Sequence, residues 1–225
     1  MASPSDSSGL PRRRSAPPVI GVVGGVASGK STVARLLEQW GAVRLDADRV
    51  AKEALDEPHV RQALLNRFGK TILTEEGSID RAALGRLVFD VDEAAANRAF
   101  LERLTHPIVR RKLLAQLEQL RADDELPAIV LDVPLLLEVG WNDLCDEVLF
   151  VDAPQAARRA RAAARGWDER TWRQREAAQW PVERKREAAD VVIDNGRDTA
   201  ALEATLRAWW RKRVEAEGAG GIARG

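Results

Sequence analysis

The stretch Gly24-Gly25-Val26-Ala27-Ser28-Gly29-Lys30-Ser31-Thr32 constrains this chain more than any other. It fits G-x-x-x-x-G-K-[ST], a pattern in which a glycine-rich turn curls backbone N–H groups around a phosphate. The flanks have the order that this chemistry needs. Val19-Ile20-Gly21-Val22-Val23 is a short apolar run with β-branched residues and reads as a buried strand. Thr32 to Trp40 reads as a helix, with Val33, Leu36, Leu37 and Trp40 on one face. A helix N-terminus adds the positive end of its dipole to the anion site. A glycine turn with a surface lysine would carry the same letters, but rarely between such a strand and such a helix. The expected ligand is a nucleoside triphosphate held by residues 25–32: Gly25, Val26, Ala27, Ser28, Gly29, Lys30, Ser31 and Thr32. Lys30 would reach the β- and γ-phosphates, and the Ser31 hydroxyl would hold Mg²⁺.

Further strands follow at intervals. Ala42-Val43-Arg44-Leu45 reads as the second, ending in Asp46-Ala47-Asp48 before a helix from Arg49 to Leu55. Two carboxylates two apart in extended chain point the same way, and strand ends are where open α/β sheets bind ligands. One of the pair can accept a hydroxyl proton or join a Mg²⁺ shell; Asp48 can instead cap the helix. Pro127 to Asp132 is a third strand ending in a carboxylate, Glu147 to Asp152 a fourth, and Ala189 to Asp194 a fifth. Asp132 resembles the second carboxylate of phosphate-loop proteins, which orders Mg²⁺. Strands alternating with helices predict a parallel sheet with helices on both faces.

Between the second and third strands, residues 56–125 show helical spacing only. Val60, Leu64 and Phe68 mark one helix, ended by Gly69. Asp80 caps another that carries Leu84, Leu87 and Val88. Phe100, Leu101 and Leu104 mark a third. A fourth, long helix begins at His106-Pro107, since proline suits a first turn. His106 alone fits packing or substrate contact equally. The last helix spans Thr199 to Glu217 and turns Leu202, Leu206, Trp209, Trp210 and Val214 inward.

The chain has 225 residues, equal numbers of acidic and basic side chains, and a formal net charge of zero. No global field therefore recruits nucleic acid or an anionic membrane. A single cysteine, Cys145, excludes an intramolecular disulfide and fits a reducing, cytoplasmic setting. The two histidines, His59 and His106, stand too far apart for a metal motif, and no apolar run approaches the roughly 18 residues of a membrane helix. Residues 1–18, rich in Ser and Pro with Arg12-Arg13-Arg14, read as a disordered tail rather than an export signal, and the Gly/Ala-rich end after Gly218 as frayed.

One stretch is locally basic. From Arg158 to Arg186 there are ten Arg or Lys against four Asp or Glu, with Trp167, Trp172 and Trp180 among them. It can be a solvated helical face, a nucleic-acid patch with stacking aromatics, or a lid that closes over a nucleotide. Its place between two strands of the sheet favours the lid. Arg161-x-x-x-Arg165 would then present two guanidinium groups on one helix face to the transferring phosphoryl. No Asn-Lys-x-Asp guanine motif is present.

Taken together, the stretch Gly24 to Thr32, Asp46-Ala47-Asp48, Leu104-Thr105-His106-Pro107-Ile108, Asp132-Val133-Pro134-Leu135-Leu136-Leu137-Glu138, Arg175-Glu176-Ala177-Ala178-Gln179 and Ala189 to Gly196 resemble the dephospho-CoA kinase family. The resemblance runs from about Val19 to Trp210. It implies a three-layer α/β/α P-loop kinase fold with a five-stranded parallel sheet. The nucleotide-binding core would comprise residues 19–55, 126–154 and 187–217, with a helical acceptor-binding insertion at 56–125 and a helical lid at 155–186. It also implies transfer of the ATP γ-phosphate to the ribose 3′-hydroxyl of dephospho-CoA, with Mg²⁺ on Ser31 and Asp132. Lys30, Asp48, Arg161 and Arg165 would be catalytic, with Asp48 as base. Asn195 would lie near the adenine. Asp46, Asp48, His106, Pro134, Leu135 and Glu138 would shape the acceptor site. ATP and dephospho-CoA are the expected partners of a monomer or weak oligomer, without nucleic acid or membrane. Two departures stand out. Ala27 replaces a frequent glycine and is expected to hold a negative φ with little effect, and Arg165-Gly166-Trp167 alters the lid tip.

Overall fold

The computed structural model describes residues 16–89 and 93–215. The readings of residues 1–15 and of the segment beyond 215 as tails lie outside that range. The chain groups into two compact units, Leu45–Gln119 and the remainder.

The larger unit is built on a five-stranded sheet: β1 (Val19–Gly24), β2 (Val43–Asp46), β3 (Ile129–Asp132), β4 (Glu147–Asp152) and β5 (Val191–Asp194). All are parallel, in the order β2-β3-β1-β4-β5. Val19 stands beside Ile129, Val22 beside Leu149 and Phe150 beside Val192. This α/β fold is the one the alternation of elements predicted. Helices α1 (Lys30–Gln39) and α9 (Thr199–Trp210) cover one face. There Ile20, Val22, Val33, Leu37, Leu149, Leu206 and Trp210 form a core cluster, with Leu36, Trp40 and Trp209 packed against its margin. Strand β1 is buried along its whole length, which is why its sequence is continuously apolar rather than alternating. Strand β5 lies at the sheet edge and leaves Val192 41% exposed. The chain after Trp210 continues as a single wide turn, Arg211–Glu215, instead of the regular helix expected there.

Aspartates clamp two strand starts. The buried Val19 amide donates to Asp146 Oδ2 at 2.7 Å, and the Asp146 amide donates back to the Val19 carbonyl at 2.8 Å. Val148 and Asp190 repeat the exchange at 2.7 and 3.0 Å.

The smaller unit is helical: α2 (Ala47–Ala54), α3 (Pro58–Phe68), α4 (Arg81–Phe89) and α5 (Ala94–Arg121). Val60, Leu64, Ile72, Leu84, Val88 and Ile108 form its core, with Leu87, Leu101 and Leu104 at the margin. Phe68 and Phe100 meet edge to face at 6.1 Å. Asp80 caps α4 through the Ala83 amide, as its sequence position predicts. Two expectations are corrected. A short antiparallel bridge, Leu73 to Ile79, sits where no strand pairing was expected. The helix junction at His106-Pro107 does not exist: α5 runs through Pro107 for 28 residues. Proline removes one N–H donor, but Leu101, Leu104 and Ile108 on both sides of it enter the same core, and that shared burial keeps the axis continuous. His106 and Pro107 are exposed.

Replacing the Asp146 carboxylate strands the Val19 amide in a fully buried strand. Asp146→Ala should therefore cost about 1–3 kcal/mol, read as a lower urea midpoint at unchanged slope.

Candidate active site

The loop after β1 is shaped by its own backbone and by three side chains from outside it. Gly24 has φ 153, and a Cβ there would stand 2.6 Å from Ser28 Oγ and 2.7 Å from the Val151 carbonyl, so no other residue fits. The Ser28 amide donates to the Gly25 carbonyl at 3.1 Å and closes the turn. Lys30 opens α1 and folds back, donating to the carbonyls of Gly24 at 3.1 Å and Gly25 at 3.2 Å. The amides of Lys30 and Ser31, which open α1, have no intrahelical acceptors, whereas the Thr32 amide donates to the Gly29 carbonyl at 2.9 Å; Ser31 is exposed beside them.

Three elements meet at the Ser28 carbonyl. Arg161, on α6 (Gln155–Ala163), donates to it at 3.0 Å and to the Asn195 carbonyl at 2.9 Å. Asn195, buried just past β5, donates its own amide to the same Ser28 oxygen at 2.6 Å. The structure thus brings Arg161, Asn195 and the phosphate loop together from positions far apart in sequence.

Arg165 departs from expectation. Helix α6 stops at Ala163, and the Arg165 amide closes a turn onto the Ala162 carbonyl. Gly166, with φ 79, carries the chain out of the helix. Arg161 and Arg165 therefore do not share a helix face, and the Arg165 guanidinium lies 5.7 Å from the Trp167 ring. The stretch continues as α7 (Glu169–Ala177) and α8 (Val182–Glu187). Much of its positive charge is paired: Arg158 with Glu176, Arg159 and Arg173 with Glu169, Lys185 with Glu138, Arg186 with Asp152.

Asp132, at the end of β3, accepts from Arg44 Nε at 3.0 Å and Nη2 at 2.5 Å on one oxygen. Past it, Pro134 is exposed, Leu135 half-buried and Glu138 mostly buried. Glu138 accepts from Lys185 Nζ at 2.9 Å and from the Trp180 amide at 2.8 Å. Burial raises the Glu138 carboxyl, but the Lys185 and Trp180 hydrogen bonds more than offset it and hold it below the ordinary range. Lys30 is pushed down to about 8, first by burial and then by the nearby Lys185, against the pull of Asp132 and Glu138.

At the end of β2, Asp46 rather than Asp48 caps α2, accepting from the Arg49 amide at 3.0 Å. The helix begins at Ala47, so Asp48 is an exposed first-turn residue. The period-two argument that aimed both carboxylates the same way fails, because only Asp46 is extended. Arg44 and Lys185 are participants that the sequence did not single out. Lys185 sat inside a basic run that read as lid or solvent face, and no spacing marked it for burial.

The family model for dephospho-CoA kinase matches residues 18–201. The chain belongs to the dephospho-CoA kinase family. That family phosphorylates dephospho-CoA with ATP, the final step of coenzyme A biosynthesis. A dephospho-CoA kinase of Carboxydothermus hydrogenoformans is 41% identical over 190 residues, 84% of this chain and 89% of the relative. One from a Synechococcus species is 45% identical over 179 residues, 78% and 84% of the two chains. Among solved structures, dephospho-CoA kinase from Campylobacter jejuni has a TM-score of 0.65 at 25% identity, covering 88% of this chain and 98% of its own. A Thermus thermophilus protein has a TM-score of 0.69 at 37% identity, over the same shares. Among the described residues no helix is long and apolar enough to cross a membrane.

Ala27 overturns one further expectation for this kinase. Its φ is 56, in the left-handed region, not negative. An alanine there costs about 1–2 kcal/mol, while glycine would lose about 0.4–1 kcal/mol through unfolded-chain freedom. Ala27→Gly should therefore stabilise the protein by about 0.5–1 kcal/mol, seen as a raised thermal midpoint.

Proposed function

We propose that the phosphate loop, Arg161 and Asn195 form the ATP site from which the γ-phosphate passes to the ribose 3′-hydroxyl of dephospho-CoA. The observation that carries this is the meeting of Lys30, Arg161 and Asn195 on one loop whose carbonyls they occupy. With those carbonyls taken, the loop N–H groups other than those of Ser28 and Thr32, which bond within the loop, are left to face an anion. Residues 25–32 cradle the phosphates and Asn195 borders the adenine. Arg161 and Arg165 supply positive charge to a loose, charge-spread transition state. Residues 155–186 act as the lid and 56–125 as the acceptor-binding insertion. Asp48 takes the hydroxyl proton. Asp46, His106, Pro134, Leu135 and Glu138 shape the acceptor site.

The described residues contain no group of three or more carboxylate, histidine or cysteine ligands. That suits Mg²⁺, which keeps several waters and relies on one or two protein oxygens plus substrate phosphates. Ser31 and Asp132 offer hard oxygen donors of that kind and would hold it. When bound, it neutralises charge on the β- and γ-phosphoryl oxygens. The pairing of the lid cations supports a molecule without a nucleic-acid face. A lone cysteine supports a reducing, cytoplasmic setting, where the chain acts as a monomer or weak oligomer.

Lys30→Ala should abolish coenzyme A formation, followed by mass, while circular dichroism stays native; retained turnover would refute the phosphate-site assignment. Asp48→Asn should lower kcat by about 10²-fold or more with little change in ATP affinity, whereas a wild-type kcat would leave Asp48 outside the chemistry. Only protonated Lys30 pairs with phosphate. Its value near 8 predicts that kcat/KM for ATP is flat below that pH and declines above it, by up to about tenfold per pH unit. Lys30→Arg should move that decline out of the accessible range.

A further inference from the structure

Arg158 has no part in these roles, yet it is 5% exposed. A buried guanidinium survives only where its charge is compensated, so its partners show what it holds. Its Nη1 donates to Glu176 Oε1 of α7 at 2.5 Å. It also reaches the Val26 carbonyl at 3.5 Å, the outer limit of a hydrogen bond. Its guanidinium carbon lies 5.3 Å from the centroid of Trp172. Its Nε is buried without a hydrogen-bond partner, so Glu176 and the loop carry the compensation.

The loop is built to admit this side chain. A Cβ on Gly25 would stand 2.7 Å from Arg158 Nη1 and 3.2 Å from Val182 Cγ2. Trp172 packs with Val26, Ala27 and Ala162 in a small cluster bordered by Trp167. On another side lies a groove of about 520 Å³ lined by Gly25, Val26, Arg158, Glu176, Gln179 and Val182 among others, so that side of the loop opens onto a cavity bordered by the Arg158–Glu176 pair. The contacted carbonyl belongs to the peptide that sets φ of Ala27, the residue in the left-handed region.

We propose that Arg158 is a positioning residue for phosphoryl transfer: with Glu176 it ties the Val26–Ala27 peptide to helix α7 and holds the phosphate loop in the turn that receives ATP. This rests on the loop being the ATP phosphate site, which Lys30→Ala tests separately. The lid helix and the loop then share one polar link, so loosening either loosens the other.

The test uses the full chain, calorimetric titration with a non-hydrolysable ATP analogue and Mg²⁺, and steady-state kinetics, all well below the thermal midpoint. Arg158→Met should weaken analogue binding about tenfold and Glu176→Gln about threefold, with KM for dephospho-CoA within about twofold of wild type. Ala27→Gly removes the left-handed strain. It should recover most of the loss in the Arg158→Met background, a larger factor than it produces in the otherwise wild-type protein. A purely structural role would lower the thermal midpoint and leave the affinity of the folded protein unchanged. Wild-type affinity in folded Arg158→Met, or the same Ala27→Gly factor in both backgrounds, would overturn the proposal. If Arg158→Met does not fold, Glu176→Gln with and without Ala27→Gly carries the comparison, and unchanged affinity in Glu176→Gln overturns it. A wild-type chain that failed to bind the analogue would instead remove the loop assignment.

Discussion

Backbone carbonyls, more than any side chain, dictate the arrangement around the phosphate loop. A tight turn rich in glycine leaves both its C=O and its N–H groups unpaired, and buried polar groups must find partners. Here the protein supplies donors to the carbonyls. Lys30 takes those of Gly24 and Gly25, Arg158 approaches that of Val26, and Arg161 and Asn195 converge on that of Ser28. The carbonyls of the turn are thus satisfied by donors from outside it, apart from the Ser28 amide, which closes the turn on the Gly25 carbonyl. The elements that deliver these donors, α1, α6 and the end of β5, come from across the chain. The parallel sheet brings them to one edge because all its strands end on the same side.

The same need explains the distribution of charge. Concentrating cations to receive phosphate would be unfavourable before the nucleotide arrives. Acidic partners offset it. Glu138 holds Lys185, Glu176 holds Arg158, and Asp132 holds Arg44 while lying within electrostatic reach of Lys30. The depressed Lys30 value is the residual of that balance. Burial and Lys185 outweigh the two carboxylates, and a bound polyphosphate would reverse the sign.

The strand, glycine turn and helix around the phosphate loop were legible in the sequence because they depend on local rules. Glycines, a lysine and a hydroxyl at fixed spacing, between an apolar strand and a helix, define the loop with little help from the rest of the chain. The five strands were legible for the same reason, being short apolar runs, the first ending in glycine and the other four in aspartate. What escaped depended on tertiary contacts. Ala27 took a left-handed φ because the loop closure outweighs a methyl group's preference. Pro107 stayed inside a helix because its neighbours on both sides share one core. Asp46, not Asp48, became the cap because α2 starts earlier than its apolar pattern suggested. Burial of Arg158 and Lys185 inside a run of ten cations carried no sequence signal, since partners distant in the chain, such as Glu138 for Lys185, cannot be read from spacing.

Cys145 bears on handling a substrate that itself ends in a sulfhydryl. Its thiol donates to the Trp141 carbonyl at 3.5 Å, and its titration is pushed up to about 12, first by burial and then by Asp146. Thiol–disulfide exchange proceeds through the thiolate. At neutral pH that form is present here on the order of one part in 10⁵. An oxidised, disulfide-linked acceptor would thus meet no competent nucleophile at this position. Burial, reinforced by the aspartate that anchors the first strand, keeps the chain's one thiol protonated among the sulfhydryl compounds it processes.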